Sequence, residues 1–247
     1  MNFLFSLYNE LLWRPLFNGL VFFYTYLPFH DLGLAIVALT LAIRLLLTPL
    51  LWKAQRAQKE LASLQPEIKK IQTQLKNDRE AQGKALMELY ATRGINPFSG
   101  CLILLIQLPI LIALFQVFQY GFAAEKLVYL YSFLARPEAL NPVSFGFLDL
   151  SRPNLVLGAL AALTQFLQTK LMLPSVSRAT ASGSDMAAIL QWQSLYVLPL
   201  IVFFSSYQFP SALLLYWTVL STLGILQEIL MKRFSRFSSH GSGTGKK

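Results

Sequence analysis

The sequence has few charged residues and almost none of the side chains that carry enzyme chemistry. Asp, Glu, Lys and Arg make up 13% of the 247 residues, whereas a soluble domain carries about a quarter. A single cysteine, Cys101, excludes an internal disulfide framework and a cysteine-ligated metal site. The two histidines, His30 and His240, lie far apart, and no phosphate-binding loop of the GxxxxGK type occurs. The sequence therefore predicts a protein that is not an enzyme and that has no cofactor and no metal site.

Apolar residues are abundant instead, at 55% of the chain, and they occur in long blocks. Each block approaches or exceeds the roughly 20 residues that cross a bilayer core as a helix. The blocks are Leu32 to Trp52, Phe98 to Tyr120, Leu155 to Leu173, Trp192 to Phe209 and Pro210 to Met231. This pattern predicts an all-α, polytopic membrane protein with five transmembrane helices.

The first 30 residues are apolar but differ from the five blocks. Leu4, Leu7 and Leu11 recur at helical spacing, with Glu10 and Arg14 among them. A helix of this kind suits the membrane interface, and a sixth span is the alternative.

Basic residues are concentrated on one side of the predicted spans. The segment 53–96 has nine Lys and Arg residues against five Asp and Glu residues, and the tail 232–247 has five bases and no acid. The segments 1–31 and 121–153 are balanced or slightly acidic. The positive-inside rule then predicts an N-terminus outside and a C-terminus in the cytosol. The excess of positive charge favours anionic lipid headgroups as a partner over nucleic acid.

The segment 53–96 also carries a heptad pattern of apolar residues separated by Lys, Gln and Glu. The pattern residues are Ala54, Ala57, Leu61, Leu64, Ile68, Ile71 and Leu75. Asn77 and Asp78 then provide a turn, so a cytosolic helical hairpin is predicted, with Pro66 kinking or restarting its first helix. A passive connector that packs only on itself is the alternative.

These patterns define a complete predicted layout of the chain. It comprises an outer interfacial helix 1–30, a first span 31–52, the cytosolic hairpin 53–96, a second span 97–120, an outer loop 121–153, a third span 154–173, a cytosolic loop 174–190, a fourth span 191–208, a fifth span 210–231 and a basic cytosolic tail 232–247.

Arg44 is the most informative residue of the spans. It lies about 12 residues into the first block, or roughly 18 Å at ~1.5 Å per residue, which is past the middle of a ~30 Å core. Thr40 and Thr48 lie one turn before and after it, which predicts a polar stripe. A charge at this depth predicts a hydrated cavity, and a snorkelling anchor is the alternative.

Several short motifs, taken in order, resemble those of the YidC/Oxa family of membrane protein insertases. They are Gly33-Leu34-Ala35-Ile36 followed by Arg44 and Thr48-Pro49-Leu50; Leu64-Gln65-Pro66-Glu67-Ile68; Gly94-Ile95-Asn96-Pro97 with Gln107-Leu108-Pro109; Phe166-Leu167-Gln168-Thr169-Lys170; and Phe209-Pro210-Ser211-Ala212-Leu213 with Leu215-Tyr216-Trp217. The chain resembles the short bacterial form, without a large periplasmic domain. It departs from the family at Ala212, where Gly is frequent, and it lacks the lipoprotein cysteine of many short forms.

The resemblance implies a function and a site. It implies insertion of nascent membrane proteins at the bacterial plasma membrane, through a hydrated groove that opens to the cytosol and moves short hydrophilic tails. The resemblance assigns Arg44, Gln168 and Trp217 to the groove, with Tyr216 nearby. The polar residues of the spans add Thr40, Thr48 and Gln107 to the expected groove. The ribosome, targeting factors and the Sec translocon are further expected partners, and DNA is not one.

Two other functions would also explain parts of the sequence. A small solute transporter would account for the intramembrane arginine, although no internal repeat is visible. A membrane scaffold would account for the hairpin. Replacement of Arg44 separates the three, because an insertase would lose insertion, a transporter would lose flux and a scaffold would lose neither.

Overall fold

The computed structural model describes residues 2–96, 99–120, 124–172 and 192–241. Nearly all the regular structure in these ranges is helical, which agrees with the predicted all-α class. The α-helices are α1 (Asn2–Tyr8), α2 (Arg14–Tyr26), α3 (Leu32–Ser63), α4 (Gln65–Gln74), α5 (Arg79–Arg93), α6 (Ser99–Tyr120), α7 (Leu155–Met172), α8 (Leu198–Ser205) and α9 (Ser211–Gly241). Short 3-10 helices cover Pro28–His30 and Ala124–Tyr129. Strands β1 (Val143–Ser144) and β2 (Leu148–Asp149) pair antiparallel, with Val143 opposite Asp149.

Three helices in the described ranges are long and apolar enough to cross a membrane: Leu32–Ser63, Leu155–Met172 and Ser211–Arg233. Two further apolar segments, Ile106–Tyr120 and Gln193–Ser205, are shorter. The chain is therefore an α-helical protein of the membrane type, while the count of five spans stays a prediction. The predicted loop 174–190 and the tail residues after 241 lie outside the described ranges.

Two π-helical segments each precede a proline by two residues. Asn9–Trp13 leads into α2, where Pro15 follows, and Gln193–Val197 leads into α8, where Pro199 follows. A proline lacks an N–H and its ring collides with the carbonyl four residues earlier, and a π turn relieves both conflicts without ending the helix. The helical stretches 2–26 and 192–205 thus each continue through a proline by means of a π turn.

The last helix extends further than the sequence pattern predicts. The fifth span was expected to end at residue 231, whereas α9 continues to Gly241. Lys and Arg are good helix formers, and no proline or glycine occurs between Met231 and Gly241. The first part of the basic tail is therefore helical.

The chain divides into two compact units, and Leu45–Leu111 is the smaller. In this unit α3 ends at Ser63 and α4 starts at Gln65, with Pro66 in its first turn, as a restarting proline requires. Asp78 caps α5 by accepting a hydrogen bond from the Ala81 amide, and Gly94 ends it with a φ of +64°. Arg93 on α5 pairs with Glu67 on α4 at 2.8 Å. Helices α4 and α5 therefore form an adjacent pair.

The larger unit is Met1–Arg44 with Ile112–Lys247, and in it α7 packs against both α8 and α9. The first residues of α9 are tied to the loop before α7, since Ser211 N donates to Arg152 O and Ala212 N to Leu150 O, each at 2.9 Å. Near the end of α8, Ser206 lies against Gly158, close to the start of α7. The starts of α7 and α9 and the end of α8 therefore lie together.

The start of α3 is fastened to the same loop through Asp31. The Asp31 carboxylate accepts hydrogen bonds from the Ser144 hydroxyl, from Leu34 N at 3.0 Å and from Phe145 N at 2.6 Å. Gly33 N donates to Ser144 Oγ at 2.9 Å, and a side chain at residue 33 would collide with Ser144 and the Phe145 ring. Partial burial alone would raise the pKa of Asp31, but these hydrogen bonds outweigh it and the pKa is lowered. The starts of α3, α7 and α9 thus converge on residues 144–152.

Candidate functional site

Arg44 lies on α3 and is held by the last long helix. Its side chain is half-buried, and Arg44 Nη2 donates a hydrogen bond to Gln227 Oε1 on α9 at 2.9 Å. The two residues are 183 positions apart in the chain. Because the acceptor is an amide oxygen, this contact orients the guanidinium without supplying a negative charge.

A glycine on α9 makes room for this arrangement. A side chain at Gly224 would overlap the amide group of Gln168 on α7 and would lie 3.3 Å from Arg44 Nη2. Gly224 itself is buried. Arg44 and Gln168 therefore lie against the turn of α9 that contains Gly224 and Gln227.

A second polar cluster lies between α7 and α9, closer to the N-terminal ends of these two helices. Trp217 Nε1 donates to Gln165 Oε1 at 2.8 Å, and Ser221 Oγ donates to the same oxygen at 3.2 Å. Gln165 Nε2 in turn donates to Thr169 Oγ1 at 3.3 Å. Interhelical hydrogen bonds of this type hold apolar helices together in a membrane.

The polar contacts continue to the end of α7. Lys232 Nζ donates to Leu171 O at 2.8 Å, which satisfies a carbonyl in the last turn of that helix. Lys232 also pairs with Glu228 at 3.5 Å, and Glu228 is 2% exposed. Residues 217, 221, 224, 228 and 232 follow each other at three- and four-residue spacing, so they form one face of α9. This face, with its partners on α7, is here called the polar seam.

The residues predicted for the groove are distributed unevenly. Trp217 and Gln168 belong to the polar seam, and Arg44 lies next to it at Gly224. Tyr216 is 1% exposed. The Thr40 hydroxyl donates to Ile36 O at 2.6 Å within its own helix and is buried. Such a bond is typical of a structural threonine in an apolar helix.

Thr48 and Gln107 belong to the smaller unit, Leu45–Leu111, where both are half-buried. Their assignment to the groove stays a prediction from the sequence.

The sequence pattern did not assign Gln165, Ser221, Gly224 and Gln227 to the site. The four-residue spacing of Trp217 and Ser221 is the signal for a polar face of α9, with Gln165 opposite it. Gly224 and Gln227 carry no such signal. Across the part of the chain that the structure describes, no group of three or more His, Cys, Asp or Glu side chains could hold a metal ion.

Comparison with known proteins gives a consistent result. The family described as 60Kd inner membrane protein, the YidC/Oxa family, matches residues 22–238. The chain is 34% identical to the membrane protein insertase YidC of Fusobacterium nucleatum over 82% of this chain and 87% of that protein. It is 30% identical to the YidC of Geotalea daltonii over 89% of this chain, and 31% identical to that of Rickettsia felis over 90%. The aligned parts cover 37% and 39% of those two proteins, so the chain spans little more than a third of their length.

Proposed function

The chain belongs to the YidC/Oxa family of 60Kd inner membrane proteins, and we propose from this that it is a membrane protein insertase that moves short hydrophilic tails across the bilayer. The observation that carries the proposal is the half-buried Arg44 guanidinium, held on an apolar helix by the neutral side chain of Gln227. A charge at such a position is costly, and charged residues inside transmembrane helices usually belong to functional sites. The family points to a bacterial inner membrane protein that acts on nascent membrane proteins.

The proposed mechanism needs no covalent step and no nucleotide. Arg44, Gln168 and Trp217 line a hydrated groove that opens to the cytosol, with the buried Tyr216 next to Trp217 on α9. Water in this groove shortens the apolar distance that a polar tail has to cross. The guanidinium attracts carboxylates in the tail, since charge-assisted hydrogen bonds between the two groups are strong and often bidentate. The apolar helix of the substrate meanwhile partitions into lipid, and this partitioning drives insertion.

The proposed topology has five spans, with the N-terminus outside and the C-terminus in the cytosol. Support comes from the larger unit, where the starts of α3, α7 and α9 and the end of α8 lie near residues 144–152. The Phe115 ring, near the end of α6, lies 5.0 Å from the Phe209 ring in the same region. Alternating spans would bring these five ends to one side of the membrane.

Cysteine labelling tests this topology in a background with Cys101 replaced. Phe147 is 82% exposed on the loop 124–152, and Gln74 is exposed at the end of α4. An impermeant thiol reagent should label Phe147→Cys from outside intact cells, and it should label Gln74→Cys only after the membrane is opened. The reverse pattern would contradict the proposed orientation.

The pair α4–α5 is proposed as a cytosolic hairpin that contacts the incoming chain or a targeting partner. Its polar surface supports this role. Deletion of residues 56–90 should impair insertion while the remaining helices stay folded. Full activity of the deletion variant would mean that the pair is a connector.

Lipids and assembly factors complete the proposal. The basic segments 53–96 and 232–247 would contact anionic headgroups in the inner leaflet. The ribosome, targeting factors and the Sec translocon are proposed as further partners.

The decisive experiment is reconstitution in protein-free liposomes with single-span substrates whose outer tails differ only in charge. The protein should insert both tails and should insert the acidic tail faster than the neutral one. Failure to insert either tail, with the protein folded, would refute the proposal of an autonomous insertase.

A further inference from the structure

The turn of α9 from Gly224 to Gln227 contacts both Arg44 and Gln168. We propose that this turn is the positioning element of the site: Gln227 holds the guanidinium in a fixed orientation, and Gly224 sets how closely Arg44 and Gln168 approach α9. The inference rests on the proposed function, because it explains how the arginine is presented to a carboxylate in the substrate.

Gln227 suits this role because its side chain is neutral. A free arginine side chain has many rotamers, and recognition of a carboxylate by both guanidinium nitrogens needs one defined orientation. The 2.9 Å bond from Nη2 to Gln227 Oε1 restricts those rotamers. A carboxylate at residue 227 would hold the guanidinium as well, but it would also compete with the substrate for the positive charge.

Glu228, the residue after Gln227, shows that the amide and the carboxylate have different partners. Glu228 is adjacent to Gln227 in sequence, yet its carboxylate pairs with Lys232 on the face of α9 that meets the end of α7. Residues 227 and 228 differ by about 100° around the helix axis, so they point in different directions. The Gln227 amide therefore contacts Arg44, whereas Glu228 pairs with Lys232, which also donates to Leu171 O at the end of α7.

Gly224 contributes by having no side chain. A Cβ there would overlap the Gln168 amide, so Gln168 would have to move first. The same Cβ would lie 3.3 Å from Arg44 Nη2, which is tighter than ordinary van der Waals contact. An alanine at this position should thus displace Gln168 strongly and Arg44 slightly.

The test compares insertion of acidic and neutral tails, because a purely structural defect would slow both equally. The variants are Gln227→Leu, Gln227→Glu, Gly224→Ala, and Gly224→Ala combined with Gln168→Ala. Thr222→Val is the matched control, since Thr222 is exposed on the same helix and its hydroxyl donates to Thr218 O within α9. Insertion rates in liposomes and the Tm in detergent are measured for each variant.

We expect Gln227→Leu to lower the acidic-to-neutral rate ratio by about threefold to tenfold, less than Arg44→Ala, because the charge remains and only its orientation is lost. Gln227→Glu should lower it further, towards the ratio of Arg44→Ala, because the new carboxylate occupies the guanidinium. Gln227→Glu keeps the size of the side chain, so it supplies the test if the leucine variant does not fold. Gly224→Ala should reduce the ratio in the parent and reduce it less in the Gln168→Ala background, because the displaced amide is then absent.

The outcomes distinguish this inference from the function on which it rests. If Arg44→Ala removes the preference for acidic tails but neither Gln227 variant changes it, the positioning role is wrong and the insertase proposal stands. If both tails slow equally in the Gln227 variants while the Tm falls, Gln227 is a structural residue and the inference is overturned. If Arg44→Ala leaves the ratio unchanged, the groove mechanism itself fails.

Discussion

Asp31 lies just before α3 and Arg44 lies within it, and these two charged residues are held in opposite ways. Asp31, just before α3, accepts hydrogen bonds from a hydroxyl and two backbone amides of its surroundings. Arg44, inside α3, donates to the neutral amide oxygen of Gln227. A carboxylate surrounded by donors is fixed and serves as a fastener. The Gln227 amide orients the Arg44 guanidinium and does not itself neutralise its charge.

The same contrast extends to the glycines beside these two residues. Gly33 lets the loop approach the start of α3, and Gly224 lets two polar side chains approach α9. Both positions are buried. At Gly33 the neighbours are part of the fastening cluster, whereas at Gly224 they are residues of the proposed groove. The comparison predicts that changes near Asp31 alter stability, whereas changes near Arg44 alter activity.

The largest expected effect is that of Arg44→Ala on activity. A hydrogen bond to a charged group contributes about 1.5–3 kcal/mol, so insertion of an acidic tail should slow by roughly tenfold to a hundredfold. Neutral tails should be affected less, and the Tm should not fall. Arg44→Lys should retain part of the activity, because it keeps the charge but loses the planar fork.

Insertion assays in liposomes with matched tails, together with thermal unfolding in detergent, measure both quantities. Unfolding of Arg44→Ala, or equal insertion of both tails at the parent rate, would make Arg44 a structural anchor and remove the contrast with Asp31.

The next effect is that of Gly33→Ala on stability. The added methyl group collides with Ser144 and with the Phe145 ring, whose nearest atom would lie 2.7 Å away. Overpacking of this kind destabilises by about 1–3 kcal/mol. The free energy of unfolding, measured by denaturant titration in detergent, should fall accordingly, while the acidic-to-neutral insertion ratio stays unchanged.

Gly83→Ala is the matched control for that experiment. A Cβ at residue 83 would meet no atom within 4 Å other than those of its own helical turn, and Gly83 is exposed on α5. Alanine there should be neutral or should stabilise by up to ~1 kcal/mol through helix propensity. A loss of stability at residue 83 equal to that at residue 33 would mean that the collision is not the cause.

Asp31 predicts a pH dependence of stability with a defined sign. Hydrogen bonds lower its folded pKa below the ordinary value of 3.8. The stabilisation is therefore complete above the unfolded pKa and is lost as the pH falls through the folded pKa. Asp31→Asn should be less stable than the parent at neutral pH by about 1–3 kcal/mol, since its amide cannot accept from both sides of the cluster.

Unfolding of the parent and of Asp31→Asn, followed from neutral pH down into the acid range, checks the sign. The difference between them should shrink as the pH falls. A constant difference across the range would assign the effect to packing rather than to the charge.

Much of the fold could be predicted from the sequence because apolar length is a local property. Helix α7 spans Leu155–Met172, against a predicted segment of 154–173, and Asn154 caps its start by accepting a hydrogen bond from Leu157 N. The extension of α9 to Gly241 was missed because hydropathy reports where a span ends and not where a helix ends. The π segments before Pro15 and Pro199 were missed because the outcome of a proline depends on how the neighbouring turns relax.

The candidate site could be predicted less completely, because it depends on which helices are neighbours. Arg44 is a charged residue within an apolar block, so the sequence alone identifies it as a candidate site residue. Gln227 does not stand out, since a glutamine near a span end is ordinary, and its pairing with a residue 183 positions away follows from the packing of α9 beside α3. Gly224 carries no sequence signal, because its value lies in the two side chains that surround it.

The smallest effect on stability is expected at the ion pair between Arg93 and Glu67. This pair extends the comparison of Asp31 and Arg44 to charges that are exposed to solvent. Both side chains are substantially exposed, at 52% and 40%, although they lie only 2.8 Å apart. Solvent screens such a pair, and exposed pairs contribute about 0–1 kcal/mol. Glu67→Gln should therefore change the free energy of unfolding by less than about 0.5 kcal/mol, and salt should reduce the difference further. Denaturant titrations of the parent and the variant at low and high salt measure it. A loss as large as that of Asp31→Asn would mean that the distance between the charges, and not their surroundings, sets the energy of an ion pair. The contrast drawn between Asp31 and Arg44 would then lose its physical basis.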